Sequence, residues 1–178
     1  MALLLCYYYC MKDPSILLFA FSGTNAEPVV KQLDQAAERD TAYIGSSERA
    51  IDKFVSEVDL DAYKYVVGFG LYTGPDKDKL RVETRYTNKF KTSIIAKHPE
   101  ATNVEPLFRD NDCVKSAQAT GNSYCNLVSY RFTQRISEEG ARTKYNFIHI
   151  PRGFDINLAA ETIREQLPSL LLSSAAGI

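Results

Sequence analysis

A cysteine that follows a glycine-bearing turn is the residue best suited to chemistry in this chain. Cys125 lies in the run Ala119-Thr-Gly-Asn-Ser-Tyr-Cys-Asn126. Apolar residues recur after it at helical spacing, at Leu127, Val128, Phe132 and Ile136. This spacing predicts a helix that begins close to Cys125. A helix N-terminus stabilises an anion, and the thiolate is the nucleophilic form of cysteine. Cys125 is therefore a candidate nucleophile.

A histidine further along the chain is placed to act with this thiol. His149 is one of two histidines and lies in the short apolar run Phe147-Ile-His-Ile-Pro151, which predicts a strand. A thiol and an imidazole that meet in a fold are the minimum for cysteine-based acyl transfer. Each residue also has a simpler interpretation: Cys125 as a buried structural thiol, and His149 as a hydrogen-bonded core histidine.

The elements that must position these residues alternate between strands and helices. Apolar runs predict strands at 15–21, 63–70 and 145–150, and Tyr43 and Ile44 suggest a further short strand within 41–45. Apolar residues at helical spacing predict helices that begin near Pro28, at Ser46 or Ser47, at Cys125 and near Asp155. Residues 80–86 favour a hairpin or an edge strand, and 87–122 have no clear pattern apart from the short apolar run 93–96. This alternation predicts an α/β fold, a three-layer α/β/α sandwich with a mostly parallel mixed sheet.

In such a sheet, functional groups gather on loops at the carboxyl ends of the strands. The loop after Gly70, the turn before Cys125 and the end of the 147–150 strand are the three candidates. The length of 178 residues suits one domain, which we assign to residues 15–178. We interpret residues 1–14 as an N-terminal leader or an extra strand.

The composition of the chain argues against several classes of function, among them nucleic-acid binding and membrane binding. The net charge is −1 and no run of Lys or Arg is present, which argues against a nucleic-acid or membrane partner. The apolar opening is too short to span a bilayer and lacks the basic start of a signal peptide. Four cysteines in a chain of this size indicate reduced thiols and a cytoplasmic protein. Cys6 and Cys10 have no zinc-binding spacing, so no metal site is expected.

Three stretches, in this order, resemble the pyrrolidone-carboxylate peptidases (pyroglutamyl peptidase I), a family of cytosolic cysteine peptidases. The first is Val67-Gly-Phe-Gly70 followed by Glu83-Thr-Arg-Tyr-Thr-Asn88, which matches the family's Glu-Arg-x-x-x-Asn motif at Glu and Asn only. The others are Gly121-Asn-Ser-Tyr-Cys-Asn126 and Phe147-Ile-His-Ile-Pro151. The interval of 24 residues between Cys125 and His149 also suits the family.

The resemblance implies an exopeptidase that removes an N-terminal pyroglutamyl residue from peptides through a thiol acyl-enzyme. It implies Cys125 as the nucleophile, His149 as its base and acid, and Glu83 as the third catalytic residue. By position it implies substrate contacts at Phe21, Gly70 and Leu71. No cofactor is implied, because thiolate and imidazole supply the chemistry, and a homo-oligomer is possible because family members often assemble as tetramers.

The chain departs from the family where the substrate is recognised. One aromatic residue, Phe21, remains of the family's first loop, which lacks its Pro-Phe here. The loop Gly70-Leu-Tyr-Thr-Gly74 lacks the family's Gln and Arg, so that Leu71 could offer backbone groups only. The segment between Asn88 and Cys125 is also shorter. Two alternatives therefore stay open: an inactive or re-purposed member that acts as a binding protein, and a thiol amidase for another N-blocked peptide.

Overall fold

Strands and helices alternate along the chain in the structure, a computed structural model that describes residues 15–37, 40–75, 77–97, 99–118 and 121–172. The strands are β1 (Ile16–Phe21), β2 (Asp40–Ile44), β3 (Tyr65–Tyr72), β4 (Leu80–Glu83), β5 (Arg85–Thr87), β6 (Ala101–Asn103), β7 (Val114–Ala117) and β8 (Lys144–Pro151). The helices are α1 (Ala26–Ala37), α2 (Glu48–Glu57), α3 (Tyr124–Glu139) and α4 (Ile156–Leu172), with a 3₁₀ turn at Leu60–Ala62. The predicted leader at 1–14 lies outside the described residues, and the assignment of 15–178 to one domain stays a prediction.

Six strands form one mixed sheet in the order β2-β1-β3-β8-β4-β7. The first four run parallel to one another. β4 is antiparallel to β8 and parallel to β7, so these two strands run the other way. β5 and β6 form a separate antiparallel pair. The predicted α/β class with a mostly parallel mixed sheet is confirmed.

Helices cover both faces of the sheet, which makes three layers. One face packs Leu18, Val67 and Ile148 against the apolar sides of α1 and α4. The other packs Phe19 and Phe147 against α2 and α3. Because successive residues of a strand point to opposite faces, a strand covered on both sides is mostly apolar. This requirement explains the apolar runs in β1 and β3, whereas β8 carries the buried polar residues Asn146 and His149 among its apolar positions.

The interpretation of residues 80–86 as a hairpin or edge strand is wrong. β4 lies inside the sheet between β8 and β7, and β5 leaves it to pair with β6. The edge strand on this side of the sheet is β7, which lies in the stretch without a clear sequence pattern. β7 has one buried residue, Val114, among its four positions, so it lacks the apolar run by which the other strands were recognised.

Two buried amides hold the irregular segment that follows β4. The Asn88 amide accepts hydrogen bonds from the N–H groups of Ile95 (2.9 Å) and Ala96 (2.8 Å) and donates to the Ala96 carbonyl (2.6 Å). The Asn126 amide donates to the carbonyls of Thr87 (2.8 Å) and Lys89 (2.6 Å) and accepts from the Thr87 N–H (2.9 Å). These side chains satisfy backbone groups that no strand ladder reaches. Asn126 thereby fixes the segment to the start of α3.

Candidate active site

The nucleophile candidate lies at the start of a helix, as predicted. α3 begins at Tyr124, and Cys125 is its second residue. Gly121 in the preceding turn has φ +77°, a left-handed conformation that favours glycine. The N-cap residue, Ser123, makes no side-chain capping hydrogen bond. The backbone N–H groups of the first turn therefore have no partner in the Ser123 side chain, and their place at the positive end of α3 lets them stabilise negative charge at Cys125.

Gly70 on β3 makes the room in which the thiol lies. A methyl group on Gly70 would stand 2.8 Å from Cys125 Sγ and 2.8 Å from the Phe147 ring, closer than such atoms approach. Gly70 pairs with His149 on the neighbouring strand β8. Directly paired residues point to the same face of a sheet. The His149 imidazole therefore lies on the face of Gly70 against which the Cys125 thiol packs.

His149 and Glu83 form a buried ion pair. His149 Nδ1 lies 2.8 Å from Glu83 Oε1. Glu83 is fully buried and His149 is 5% exposed. Because Nδ1 binds the Glu83 carboxylate, Nε2 is the ring nitrogen left to hydrogen-bond with Cys125. The structure thus brings the three predicted catalytic residues together from α3, β8 and β4.

The surroundings of His149 favour its charged form. Burial alone would lower the pKa of the imidazole. The hydrogen bonds to Cys125 and Glu83, together with their negative charges, outweigh burial and raise the pKa from 6.5 to about 9. At neutral pH the imidazole therefore carries a proton that it can deliver to a neighbouring atom.

We expect NMR titration of the His149 ring to give a midpoint of about 9. Glu83→Gln removes the carboxylate charge, so the midpoint should fall, whereas Glu165→Gln on the far face of the sheet should leave it unchanged. Because the folded pKa exceeds 6.5, the contribution of His149 to the free energy of unfolding is complete below that pH and is lost as pH rises through about 9. A wild-type midpoint below 6.5 would contradict this electrostatic account.

A buried tyrosine that the sequence did not single out braces the ion pair. The Tyr86 hydroxyl accepts a hydrogen bond from the Phe147 N–H (3.0 Å) and donates one to the Glu83 carbonyl (2.9 Å). Burial raises the pKa of Tyr86 well above its usual value, so the hydroxyl keeps the proton that it donates. Tyr86 therefore connects the strand that carries Glu83 to the strand that carries His149. Its position in a polar run gave no signal in the sequence.

Of the three predicted substrate-binding residues, Gly70 contacts the thiol, Phe21 is buried and Leu71 lies on the other face of the sheet. Gly70 lies against the thiol, as described above. Phe21 is 2% exposed and packs on Phe147, with 6.5 Å between the ring centroids. Leu71 pairs with Ile150 and so points to the opposite face of the sheet from Gly70. Contacts of Phe21 and Leu71 with a substrate stay predictions, and the side chain of Leu71 is directed away from the thiol.

The structure shows two further features of the described ranges. They contain no cluster of three or more His, Cys, Asp or Glu residues arranged to hold a metal ion. Within the same ranges, no helix has the length and apolar character needed to cross a membrane.

Comparison with known proteins gives agreement in structure without agreement in sequence. No protein-family model matches the chain, and no curated protein matches its sequence. Among solved structures, pyroglutamyl peptidase I from Bacillus amyloliquefaciens superposes with a TM-score of 0.71 at 17% identity, covering 93% of this chain and 96% of that one. The pyrrolidone carboxyl peptidase from Thermococcus litoralis superposes with a TM-score of 0.70 at 15% identity, covering 88% of this chain and 92% of that one. The pyrrolidone carboxyl peptidase from Thermus thermophilus superposes with a TM-score of 0.71 at 15% identity, covering 85% of this chain and 98% of that one. The resemblance inferred from the order of the motifs is confirmed at the level of the fold.

Proposed function

We propose that this protein is a cysteine exopeptidase that removes an N-terminal pyroglutamyl residue from peptides. The observation that supports it most is the Cys125–His149–Glu83 arrangement, at the positions that the motifs indicated, in a fold shared with pyroglutamyl peptidases. Fold alone does not fix an activity, so the geometry of the three side chains carries the proposal.

The reaction begins with a thiolate–imidazolium pair. Cys125 Sγ attacks the carbonyl carbon of the pyroglutamyl residue and forms a tetrahedral intermediate. The N–H groups at the start of α3 stabilise its oxyanion, because they are free of intrahelical partners and lie at the positive end of the helix. The C–N bond then breaks while the His149 proton passes to the leaving amine. A thioester joins the pyroglutamyl group to Cys125.

Water completes the cycle. His149, now neutral, takes a proton from a water molecule, which attacks the thioester carbonyl and releases pyroglutamate. Glu83 keeps the imidazole oriented by its 2.8 Å contact with Nδ1 throughout. Collapse of the tetrahedral intermediate breaks the C–S bond and restores the thiolate, while His149 keeps the proton taken from water and the proton of the released carboxylic acid passes to solvent.

A second candidate is a thiol amidase that acts on a different N-blocked peptide. Two observations support this second candidate. The Leu71 side chain points away from the thiol, and Phe21 is buried against Phe147. The ring pocket expected from the family is therefore built differently, while the catalytic residues are kept.

Fluorogenic amides of pyroglutamate, proline and alanine separate these functions. We expect hydrolysis of the pyroglutamyl amide at a kcat/KM at least about 100-fold above the other two, since an N-blocked ring lacks the charged amine that both controls carry. If none is hydrolysed but iodoacetamide labels Cys125 faster than Cys113, the amidase function is favoured. If labelling is equally slow at both cysteines, the chain is a binding protein.

The setting of this activity is part of the proposal. We infer a cytoplasmic protein with reduced thiols, acting on peptides that carry N-terminal pyroglutamate. Self-association is possible, and we expect no nucleic-acid or membrane partner.

A further inference from the structure

An arginine lies on the outer side of the catalytic ion pair. Arg81 pairs with His149 across β4 and β8 and points to the same face of the sheet. Its Nε lies 3.4 Å from Glu83 Oε1, the oxygen that also contacts His149. The Arg81 side chain is only 13% exposed, so this contact is shielded from solvent. One carboxylate oxygen is thus shared by two cationic side chains.

A tyrosine holds the guanidinium in place. Arg81 Cζ lies 4.3 Å from the centre of the Tyr72 ring, and Arg81 Nη1 donates to the Tyr72 hydroxyl at 3.2 Å. The same ring lies 5.9 Å from the His149 ring. Gly74 makes space for it, because a methyl group there would overlap the Tyr72 hydroxyl. Tyr72 and Arg81 together cover the pair formed by His149 and Glu83.

The charge balance of Glu83 changes during the proposed reaction. Glu83 is fully buried, and within the described part of the chain its Oε2 has no hydrogen-bond partner. A buried carboxylate is costly unless a cation or hydrogen bonds compensate it. His149 compensates it while protonated, but not after its proton has passed to the leaving amine. Arg81 remains charged at every step, because a guanidinium does not titrate in this pH range.

We propose that Arg81, held by Tyr72, is a positioning residue that gives Glu83 a permanent counter-charge, so that His149 can release its proton. This inference rests on the proposed function for its kinetic part. The alternation of side chains along β4 places Arg81 and Glu83 on one face, two residues apart. The groups that face the imidazole are Cys125 from α3, Glu83 and Arg81 from β4, and the Tyr72 ring from β3.

The test compares Arg81→Gln, Arg81→Lys and a matched control, Arg164→Gln, which removes an exposed arginine from α4 on the far face of the sheet. The first readout is the NMR titration of His149 without substrate. Loss of the competing cation should raise the His149 midpoint by about 0.5–1 pH unit in Arg81→Gln. If packing were the only role of Arg81, its loss would loosen Glu83 from His149 and the midpoint would fall.

The second readout compares a pyroglutamyl amide with a pyroglutamyl aryl ester, whose phenolate leaves without a proton. We expect Arg81→Gln to lower kcat on the amide about tenfold while the ester changes little, and Arg81→Lys to recover part of the amide rate. Equal slowing of both substrates with an unchanged or lowered midpoint would overturn the proposal.

Two provisions keep the test decisive. Should Arg81→Gln fail to fold, Tyr72→Phe removes only the hydroxyl that binds the guanidinium, and a smaller upward shift of the midpoint is expected. Should the wild type hydrolyse neither substrate, the proposed function fails, whereas the titration, which needs no substrate, still decides the role of Arg81.

Discussion

Cys125→Ser is expected to lower kcat/KM on a pyroglutamyl amide by about 10³-fold or more, which corresponds to at least ~4 kcal/mol of transition-state stabilisation. A serine hydroxyl does not form the thiolate–imidazolium pair with which the proposed reaction begins. Initial rates with the fluorogenic amide measure the effect, and a melting curve verifies that the variant is folded.

The matched control for this substitution is Cys113→Ser. Cys113 is the other half-buried free cysteine of the described ranges and lies in the turn before β7, where its N–H donates to Asn111. That backbone contact survives the substitution, so activity should remain within about twofold of wild type. Full turnover by Cys125→Ser would refute the thiol mechanism.

Gly70→Ala is expected to give the second largest loss, at least about 100-fold in kcat/KM. Its added methyl group would stand 2.8 Å from both Cys125 Sγ and the Phe147 ring. Phe147 is fully buried among other aromatic side chains and has little freedom to move. The thiol must therefore move away from His149, and the overpacking should also cost about 1–3 kcal/mol of stability.

A glycine with room around it provides the comparison. A methyl group on Gly45 would meet only the Ala50 side chain at 3.6 Å, an ordinary van der Waals distance. Gly45→Ala should therefore leave both activity and melting temperature near wild type. The rate of iodoacetamide labelling at Cys125 separates displacement of the thiol from loss of folded protein. Unchanged labelling in folded Gly70→Ala would contradict the role assigned to Gly70.

The three candidate catalytic residues stood out in the sequence because each lies in a distinctive local pattern. Cys125 follows a glycine turn at the start of a periodic helix, and His149 interrupts an apolar strand. Glu83 was found through its motif alone. Tyr86 and Arg81 were missed, since their roles depend on which strands pair. Once β4 is known to be a strand beside β8, the alternation of side chains does place Arg81 with Glu83.

The same limit applies to the fold. β1, β3 and β8 were recognised because both of their faces are buried and most of their residues are apolar. The helix cap at Ser47 was predicted as one of two possibilities, and its hydroxyl accepts the Ala50 N–H. β6 and β7 were missed because they are short and partly exposed. The bonds that hold residues 88–96 come from side-chain amides and from isolated backbone contacts, such as the one from the Asn88 N–H to the Glu100 carbonyl, and neither kind leaves a periodic signal.

The order of the strands has a consequence for how the protein is synthesised. Among the described strands β8 is the last to be made, yet it lies in the middle of the sheet between β3 and β4. Until residues 144–151 leave the ribosome, the sheet consists of two separate parts with unpaired edges, a state that favours association with chaperones. A nascent chain that ends before β8 contains Cys125 without the His149 imidazole, so the proposed catalytic pair forms only as the sheet closes.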